Sequence, residues 1–132
     1  MRATMTLLTL LAGCDDTLFG QVGETESVSY EEGHAGVVAI MEDHCISCHP
    51  AGGAGSGSLD LEGDLCTTVV GVPATAYAPD VLVVAGDAAS SVLWAKMADT
   101  GAFGSVMPLG TPLDAAIVEI VAAWIDDGAT CN

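Results

Sequence analysis

The sequence predicts an all-α domain, and three observations support this prediction. Apolar residues recur at helical intervals in several segments, and no segment gives a strand pattern that competes with them. Hydrophobic residues make up 51% of the 132 residues and charged residues 15%, which argues against disorder. A chain of this length has the usual size of one domain. We expect that domain over residues 30–132, after a signal segment over residues 1–13 and a tether over residues 14–29.

The segment "SVSYEEGHAGVVAIMEDHC" predicts a first helix from about Tyr30 to His44. Ser29 and Glu32 have the spacing of a capping box. Gly33 and Gly36 each weaken the helix by about 1 kcal/mol relative to Ala, although such glycines can also permit a close approach by a second helix. The apolar positions that recur at helical intervals are Val37, Val38, Ile40, Met41 and Cys45.

The middle of the chain predicts a loop followed by two shorter helices. Residues 51–58 are glycine and serine rich, and no strand or GKS motif marks them as a phosphate-binding loop. A short helix is expected near Glu62 to Val70. The stretch "GDAASSVLWAKMADTG" predicts another, with Asp87 as its N-cap and Gly101 after its end.

The clearest helix lies in "GTPLDAAIVEIVAAWIDDGA". Thr111 is a favourable N-cap, Pro112 suits the first helical position and Gly128 suits the C-terminal stop. The expected core-facing positions are Ile117, Ile120, Val121, Trp124 and Ile125.

The first residues, "MRATMTLLTLLAGCDD", have the pattern of a secretion signal. Arg2 gives a positive start, and the apolar stretch that follows is far shorter than the roughly 20 residues of a spanning helix. Leu11-Ala12-Gly13-Cys14 resembles the bacterial lipoprotein signal, in which the cysteine is diacylated and becomes the mature N-terminus. We therefore expect Cys14 to anchor the protein to a membrane in the periplasm or cell envelope, with residues 14–29 as a flexible acidic tether. The alternative is a buried N-terminal helix that ends in an ordinary cysteine.

The chain is strongly acidic, with 2 Lys and Arg against 18 Asp and Glu and a formal charge of −16. Removing residues 1–13 would remove Arg2 and no acid, so the mature charge becomes −17 and Lys96 is the remaining basic residue. This charge argues against nucleic acid as a partner, because phosphate backbones are bound by clustered Lys and Arg. A protein partner with a basic docking surface fits better. Alternatively, the acidity only keeps an apolar protein soluble.

The run "DHCISCHPAGG" places Cys45 and Cys48 three positions apart, with His49 directly after the second cysteine. A thioredoxin-like thiol pair needs a βαβ setting, which a helical chain does not offer. A zinc site needs a fourth ligand, and the remaining cysteines and histidines stand at no familiar spacing. Covalent haem fits the order of these three residues, because the two thiols add to the vinyl groups of the porphyrin and the adjacent imidazole binds the iron. Since haem is attached outside the cytoplasm, the export signal strengthens the prediction of one covalent haem c.

Iron bound by His49 has a further axial position, and Met107 is the expected ligand. It stands in "GAFGSVMPLGTP", a loop between two helices in which Pro108 favours extended backbone at Met107. A methionine held there can present its sulfur without disrupting a helix. Met97 lies on the apolar side of its helix, where methionine is usually core filler. The other possibilities are Met41, His34, His44 or no ligand.

The CxxCH motif after a helix, the "MP" loop and the closing "WIDDGA" helix together resemble class I c-type cytochromes, in particular the small bacterial single-haem domains. The resemblance covers about Glu32 to Ala129. It implies N- and C-terminal helices that cross around one haem, with Gly36 or Val37 near Trp124. Relatives often have Pro-Gly where this chain has Ala85-Gly86, and no acceptor is evident for the His49 ring N–H.

A haem with protein ligands on both faces has no vacant site, so the expected function is electron transfer and not catalysis. The sequence predicts a membrane-anchored carrier of single electrons between redox partners outside the cytoplasm. The alternative is a five-coordinate haem protein acting as a peroxidase or as a gas or redox sensor. Lys96 either pairs with a haem propionate or is an ordinary surface lysine. The expected dry wall of the pocket consists of Leu93, Phe103, Ile117, Val121 and Trp124.

Two cysteines remain after these assignments. Export to an oxidising compartment favours a disulfide between Cys66 and Cys131. The alternative is a pair of buried thiols.

Overall fold

The computed structural model describes residues 29–132, and these residues form four α-helices with no β-strand among them. The all-α class is therefore confirmed for this part of the chain. The signal at residues 1–13, the lipidated Cys14 and residues 15–28 of the tether lie outside the described residues. Within residues 29–132, no helix is both long enough and apolar enough to cross a membrane. The helices are α1 (Gly33–His44), α2 (Leu65–Thr68), α3 (Val92–Met97) and α4 (Ala115–Asp126).

α1 packs against α4, and this contact lies in the main buried cluster of the protein. His34 lies in the first turn of α1 with its ring centroid 6.1 Å from that of Trp124 in α4, which agrees with the expected approach of the two helices. Burial of one aliphatic side chain contributes about 1.5 to 3 kcal/mol. The apolar stripes therefore hold these short helices together more than helix propensity does. The fully buried side chains of the two helices are Val37, Ile40, Met41, Val121 and Ile125.

α1 begins at Gly33, later than the predicted start at Tyr30, because the preceding segment folds back along the helix. The hydroxyl of Tyr30 donates to Asp43 Oδ2 at 3.0 Å and lies 2.8 Å from His44 Nε2, both near the far end of α1. If α1 began at Tyr30, the helix would carry this residue away from Asp43 and His44.

The predicted capping box does not form. Glu32 is the N-cap residue of α1 and makes no side-chain capping hydrogen bond. The backbone of Glu31 lies directly against Gly36, so a Cβ at this position would collide with it. Gly36 thus permits the fold-back of the chain's own leading segment and not the approach of a second helix.

The predicted starts of α3 and α4 are also too early. Asp87 does not cap α3; its carboxylate accepts from the Ser90 amide at 3.0 Å and the Ser90 hydroxyl at 2.7 Å, which closes a separate turn. The N-cap of α3 is Ser91. α4 begins at Ala115 with Asp114 as its N-cap, so Thr111 and Pro112 belong to the preceding loop. Before α3, a polar residue close to the helix thus supports a turn that ends before the helix starts.

The buried face of α4 is turned slightly from the predicted one. Trp124, Val121 and Ile125 are buried as expected, whereas Ile117 and Ile120 are only partly buried at the edge of the core. Val118 and Ala122 complete the buried face in their place.

The "WIDDGA" segment ties the end of α4 to the rest of the chain. The Ile125 carbonyl accepts from the Gly86 amide at 2.7 Å, and Asp126 Oδ1 accepts from the Ala88 amide at 2.8 Å. The indole of Trp124 donates to the Thr130 carbonyl at 2.9 Å. The first two bonds fix the turn that leads into α3, and the third holds the chain that follows α4.

α2 is shorter than the predicted helix over Glu62 to Val70. Asp64 caps it by accepting from the Cys66 amide at 3.0 Å. Cys66 is bonded to Cys131, with a Cα–Cα distance of 6.2 Å, so the predicted disulfide pairing is present. It joins α2 to the chain end behind α4.

Candidate functional site

The CxxCH motif forms a tight turn directly after α1. The amides of Cys48 and His49 both donate to the Cys45 carbonyl, at 3.1 and 2.9 Å. The Cys45 amide donates to Met41 O at 2.8 Å, so the turn is anchored to the buried end of α1. Both cysteines are free thiols, Cys45 half-buried and Cys48 exposed. The helix therefore delivers two sulfurs and an imidazole to one place on the molecule.

A cavity of about 690 Å³ opens beside this turn, and Cys45, Cys48, His49 and Met107 all contribute to its wall. Residues that are far apart in the sequence thus meet around one space. Its volume is in the range of roughly 300 to 1,000 Å³ that is usual for cofactor sites.

Most of the remaining wall is apolar and comes from loops that sequence patterns did not single out. The predicted wall is largely wrong: Leu93 lines the cavity, but Ile117, Val121 and Trp124 do not, because α4 uses its apolar face against α1. Phe103 lies behind Tyr77, with ring centroids 5.2 Å apart. The apolar lining residues include Leu59, Leu61, Val72, Leu82, Val92 and Leu93.

His49 Nδ1 is buried without a hydrogen-bond partner among the described residues. A buried polar atom of this kind is uncommon and costly unless something outside the chain satisfies the ring. Metal-bound imidazoles usually donate their other N–H to a carbonyl or carboxylate, and no such acceptor lies within reach of Nδ1. Nδ1 therefore remains an unsatisfied buried atom beside the cavity, without the acceptor that usually orients a metal-bound imidazole.

Met107 lies in the loop between α3 and α4, and its amide donates to the Lys96 carbonyl at 2.9 Å. Met97 also lines the cavity, but it is 4% exposed and packs within the core cluster, as expected for a filler. Met41 and His34 do not line the cavity, whereas His44 does. Two methionines therefore line the same cavity as the CxxCH turn, and Met107 is the one held by a loop.

The glycine loop after His49 is closed by the carboxylate of Asp60. Its two oxygens accept from the amides of Gly52 at 2.7 Å, Gly63 at 2.8 Å and Glu62 at 3.1 Å. The bond from Gly52, followed by that from Gly63, lowers the pKa of Asp60 below its ordinary value. This loop forms one edge of the cavity, and the Asp60-to-Gly63 turn was a local signal that could have predicted its closure.

The pKa of Cys45 disfavours the interpretation of the motif as a redox-active thiol pair. Burial, together with the nearby Cys48, raises the pKa of Cys45 to about 11. Redox-active CxxC pairs instead have a cysteine with a depressed pKa, because the thiolate is the reactive form.

The zinc interpretation is disfavoured by where metal-ligating side chains converge. Among residues 29–132, the group of three or more such side chains is His34, Cys66 and Cys131, with ligand atoms within 4.8 Å of one another. Two of the three are already joined as a disulfide, and the group lies away from the CxxCH turn. His34 is half-buried beside this disulfide.

Comparisons with known proteins identify no relative: no family model, no curated protein and no solved structure matches the chain.

Sequence reasoning named Lys96 but not its partners, and it missed Tyr77 altogether; both side chains line the same cavity as Met107. Lys96 is half-buried, and its Nζ donates to the Phe103 carbonyl at 2.8 Å and to the Tyr77 hydroxyl at 3.2 Å. Tyr77 also lines the cavity. Their meeting depends on contacts between distant segments, which no local spacing in the sequence signals.

Proposed function

We propose that this protein is a monohaem c-type cytochrome that carries single electrons between redox partners outside the cytoplasm. The observation that carries the proposal is that one cavity has both thiols and the imidazole of the CxxCH turn in its wall together with Met107. The all-α architecture with α1 packed on α4 agrees with a class I cytochrome c fold.

In this proposal Cys45 and Cys48 would hold one haem c by thioether bonds, and His49 and Met107 would bind its iron. The bound haem supplies a one-electron couple between its ferric and ferrous forms. The apolar wall excludes water, and a dry pocket with a methionine ligand favours a high reduction potential. With Met107 bound, the haem iron would have no vacant coordination position for a substrate.

The surroundings of the cavity favour electron transfer over catalysis. A peroxidase needs a side chain near the open face of the haem that can move protons. The side chains at the cavity that could do so have other partners: His44 Nε2 lies 2.8 Å from the Tyr30 hydroxyl, Asp60 accepts from loop amides, and Lys96 and Tyr77 donate to the Phe103 carbonyl. Residues 29–132 contain no arginine.

The proposal extends to the setting of the protein. Lipidation of Cys14 would anchor the domain to a membrane in the periplasm or cell envelope, with the acidic tether as a spacer. The acidic surface would select redox partners with a basic docking surface.

Optical spectroscopy of protein matured with a haem-attachment system tests the proposed function. We expect a ferric far-red band from sulfur ligation, a reversible one-electron titration, and no change in the ferrous spectrum when carbon monoxide is added. A high-spin ferric spectrum with ready binding of carbon monoxide would instead establish the five-coordinate alternative.

A further inference from the structure

The loop that carries Met107 has no helix of its own, so something else must hold it in place. It runs from the end of α3 at Met97 to the start of α4 at Ala115 and is rich in glycine. One anchor is local, the bond from the Met107 amide to the Lys96 carbonyl at 2.9 Å. The other anchors converge on the carbonyl of Phe103, four residues before the methionine.

The Phe103 carbonyl accepts two hydrogen bonds at once. The Tyr77 hydroxyl and the Lys96 ammonium each donate to it at 2.8 Å. The Lys96 ammonium also donates to the Tyr77 hydroxyl at 3.2 Å and lies 5.3 Å from the centre of the Tyr77 ring. The ring of Tyr77 packs edge-on against that of Phe103, with centroids 5.2 Å apart. These contacts lock one turn of the loop from two separate segments of the chain.

The arrangement is informative because one of the two donors to the Phe103 carbonyl is Lys96. Lys96 is the only Lys or Arg among residues 29–132, in a chain with 18 acidic residues. A surface lysine in such a chain would have many carboxylate neighbours. Lys96 is instead half-buried in the cavity wall with a neutral carbonyl and a hydroxyl as partners. A charged donor makes a stronger hydrogen bond than a neutral one, so this position favours a firmly held loop.

We propose that Lys96 and Tyr77 are positioning residues that fix the Phe103 carbonyl and thereby hold Met107 at the cavity. The inference rests on the proposed function, in which Met107 is the distal ligand of the haem iron. In this arrangement Lys96 uses two of its three N–H donors within the protein.

The test compares Lys96→Met, Tyr77→Phe and the double variant with the wild type, using two readouts on the full-length matured protein. The first is hydrogen exchange of the amides in residues 99–107, which reports opening of the loop whether or not haem is present. The second is the rate at which added imidazole replaces the sulfur ligand in the ferric protein. Ser90→Ala is the control, because it removes an exposed hydrogen bond to Asp87 outside the loop.

We expect Lys96→Met to raise both rates by roughly tenfold to a hundredfold, because a charge-assisted bond is lost. Tyr77→Phe should raise them by up to roughly tenfold. The double variant should show less than the product of the two effects, because both donors share one carbonyl. The Ser90→Ala protein should behave like the wild type.

If residues 99–107 exchange at the wild-type rate in both single variants, the positioning role is overturned. If Lys96→Met does not fold, the exchange rate of Tyr77→Phe alone decides the question. Protein without haem or without a sulfur ligand would refute the proposed function instead. In that case the exchange measurement still decides whether Lys96 and Tyr77 hold the loop.

Discussion

Met97 and Met107 both line the cavity, and they differ in what holds them. Met97 belongs to α3 and to the core cluster, where its flexible thioether fills space between other side chains. Met107 belongs to a loop that is fixed through its own amide and through the Phe103 carbonyl. A side chain on such a loop can be presented to a ligand without loss of core packing.

This difference predicts opposite results for the same substitution at the two positions. Met107→Leu should abolish the ferric far-red band, lower the reduction potential and allow carbon monoxide to bind the ferrous protein, because the thioether is lost. Met97→Leu conserves volume and should leave the spectrum intact, at a stability cost below about 1.5 kcal/mol. The measurement is the absorption spectrum of each matured variant.

Loss of the band in Met97→Leu with its retention in Met107→Leu would contradict the assignment. It would move the distal ligand from the loop to α3.

At the residue scale, the sequence predicted the parts of the site that depend on local spacing. Cys45, Cys48 and His49 follow one another within a single turn, so their relation is set by the chain itself. Pro108, the next residue, similarly identified Met107 as the expected ligand, because a proline favours extended backbone at the residue before it. The bonds from Lys96 and Tyr77 to Phe103 span distant segments, and only the folded backbone brings their atoms together.

Among the elements, α1 shows most clearly how tertiary contact overrides local preference. Propensity alone rates glycine as a weak point in a helix, by about 1 kcal/mol relative to Ala. At Gly36 the backbone of Glu31 occupies the space that a Cβ would need. The start of the helix therefore depends on a contact that the amphipathic pattern does not encode.

Gly36→Ala should consequently destabilise the protein, by about 1 to 3 kcal/mol, because either the Glu31 backbone or the helix must move. Ala35→Gly is the control at the exposed neighbouring position, and it should cost about 1 kcal/mol from propensity alone. The free energy of unfolding in urea measures both. A Gly36→Ala protein more stable than the wild type would show that propensity dominates and that the fold-back is not required.

The glycine loop offers a pH-dependent prediction. The hydrogen bonds from Gly52 and Gly63 lower the pKa of Asp60 below its ordinary value of 3.8. A depressed folded-state pKa means that the carboxylate stabilises the loop above the ordinary value, and that this stabilisation is lost as the pH falls through the depressed pKa. Hydrogen exchange at residues 50–63 should therefore accelerate on acidification beyond the intrinsic change in exchange rate.

Asp60→Asn should leave the loop loose already at neutral pH and remove most of its acid response, because an amide NH₂ would face the Gly52 N–H in place of Oδ2. Asp80→Asn, at an exposed position, is the matched control and should keep the wild-type response. An unchanged acid response in Asp60→Asn would refute the role of this carboxylate.

Across elements, the sequence predicted which helices exist better than where they begin. The apolar stripes of α1 and α4 identified both helices, since burial of those stripes is what stabilises them. Asp87 and Thr111 were wrong as caps because each helix is preceded by a turn or loop with its own polar residues. The cavity wall could not be predicted, because it comes from loops whose path depends on long-range packing.

For the molecule as a whole, charge is the dominant surface property. Lys96 is half-buried and is the only Lys or Arg among residues 29–132, so the described surface exposes acidic side chains without basic ones to balance them. A field of one sign steers charged partners, and salt screens that steering.

This surface predicts opposite salt dependences for two classes of small redox reagent. Electron transfer from the ferrous protein to a cationic ruthenium ammine should slow by about tenfold or more as salt is raised, because attraction is screened. Transfer to hexacyanoferrate(III), which is anionic, should become faster. Stopped-flow rates over a range of ionic strength measure both, and rates independent of salt for both reagents would contradict electrostatic steering.

The covalent attachment of haem to Cys45 and Cys48 is the central claim, and one measurement tests it directly. The full chain is produced with a haem-attachment system, denatured, extracted with acidic organic solvent, and examined by intact mass and pyridine haemochrome spectrum. The polypeptide should retain its colour, show a mass increase of one haem and give the spectrum of a haem with two thioether bonds. A colourless chain at its unmodified mass, or haem that passes into the solvent, would contradict the claim.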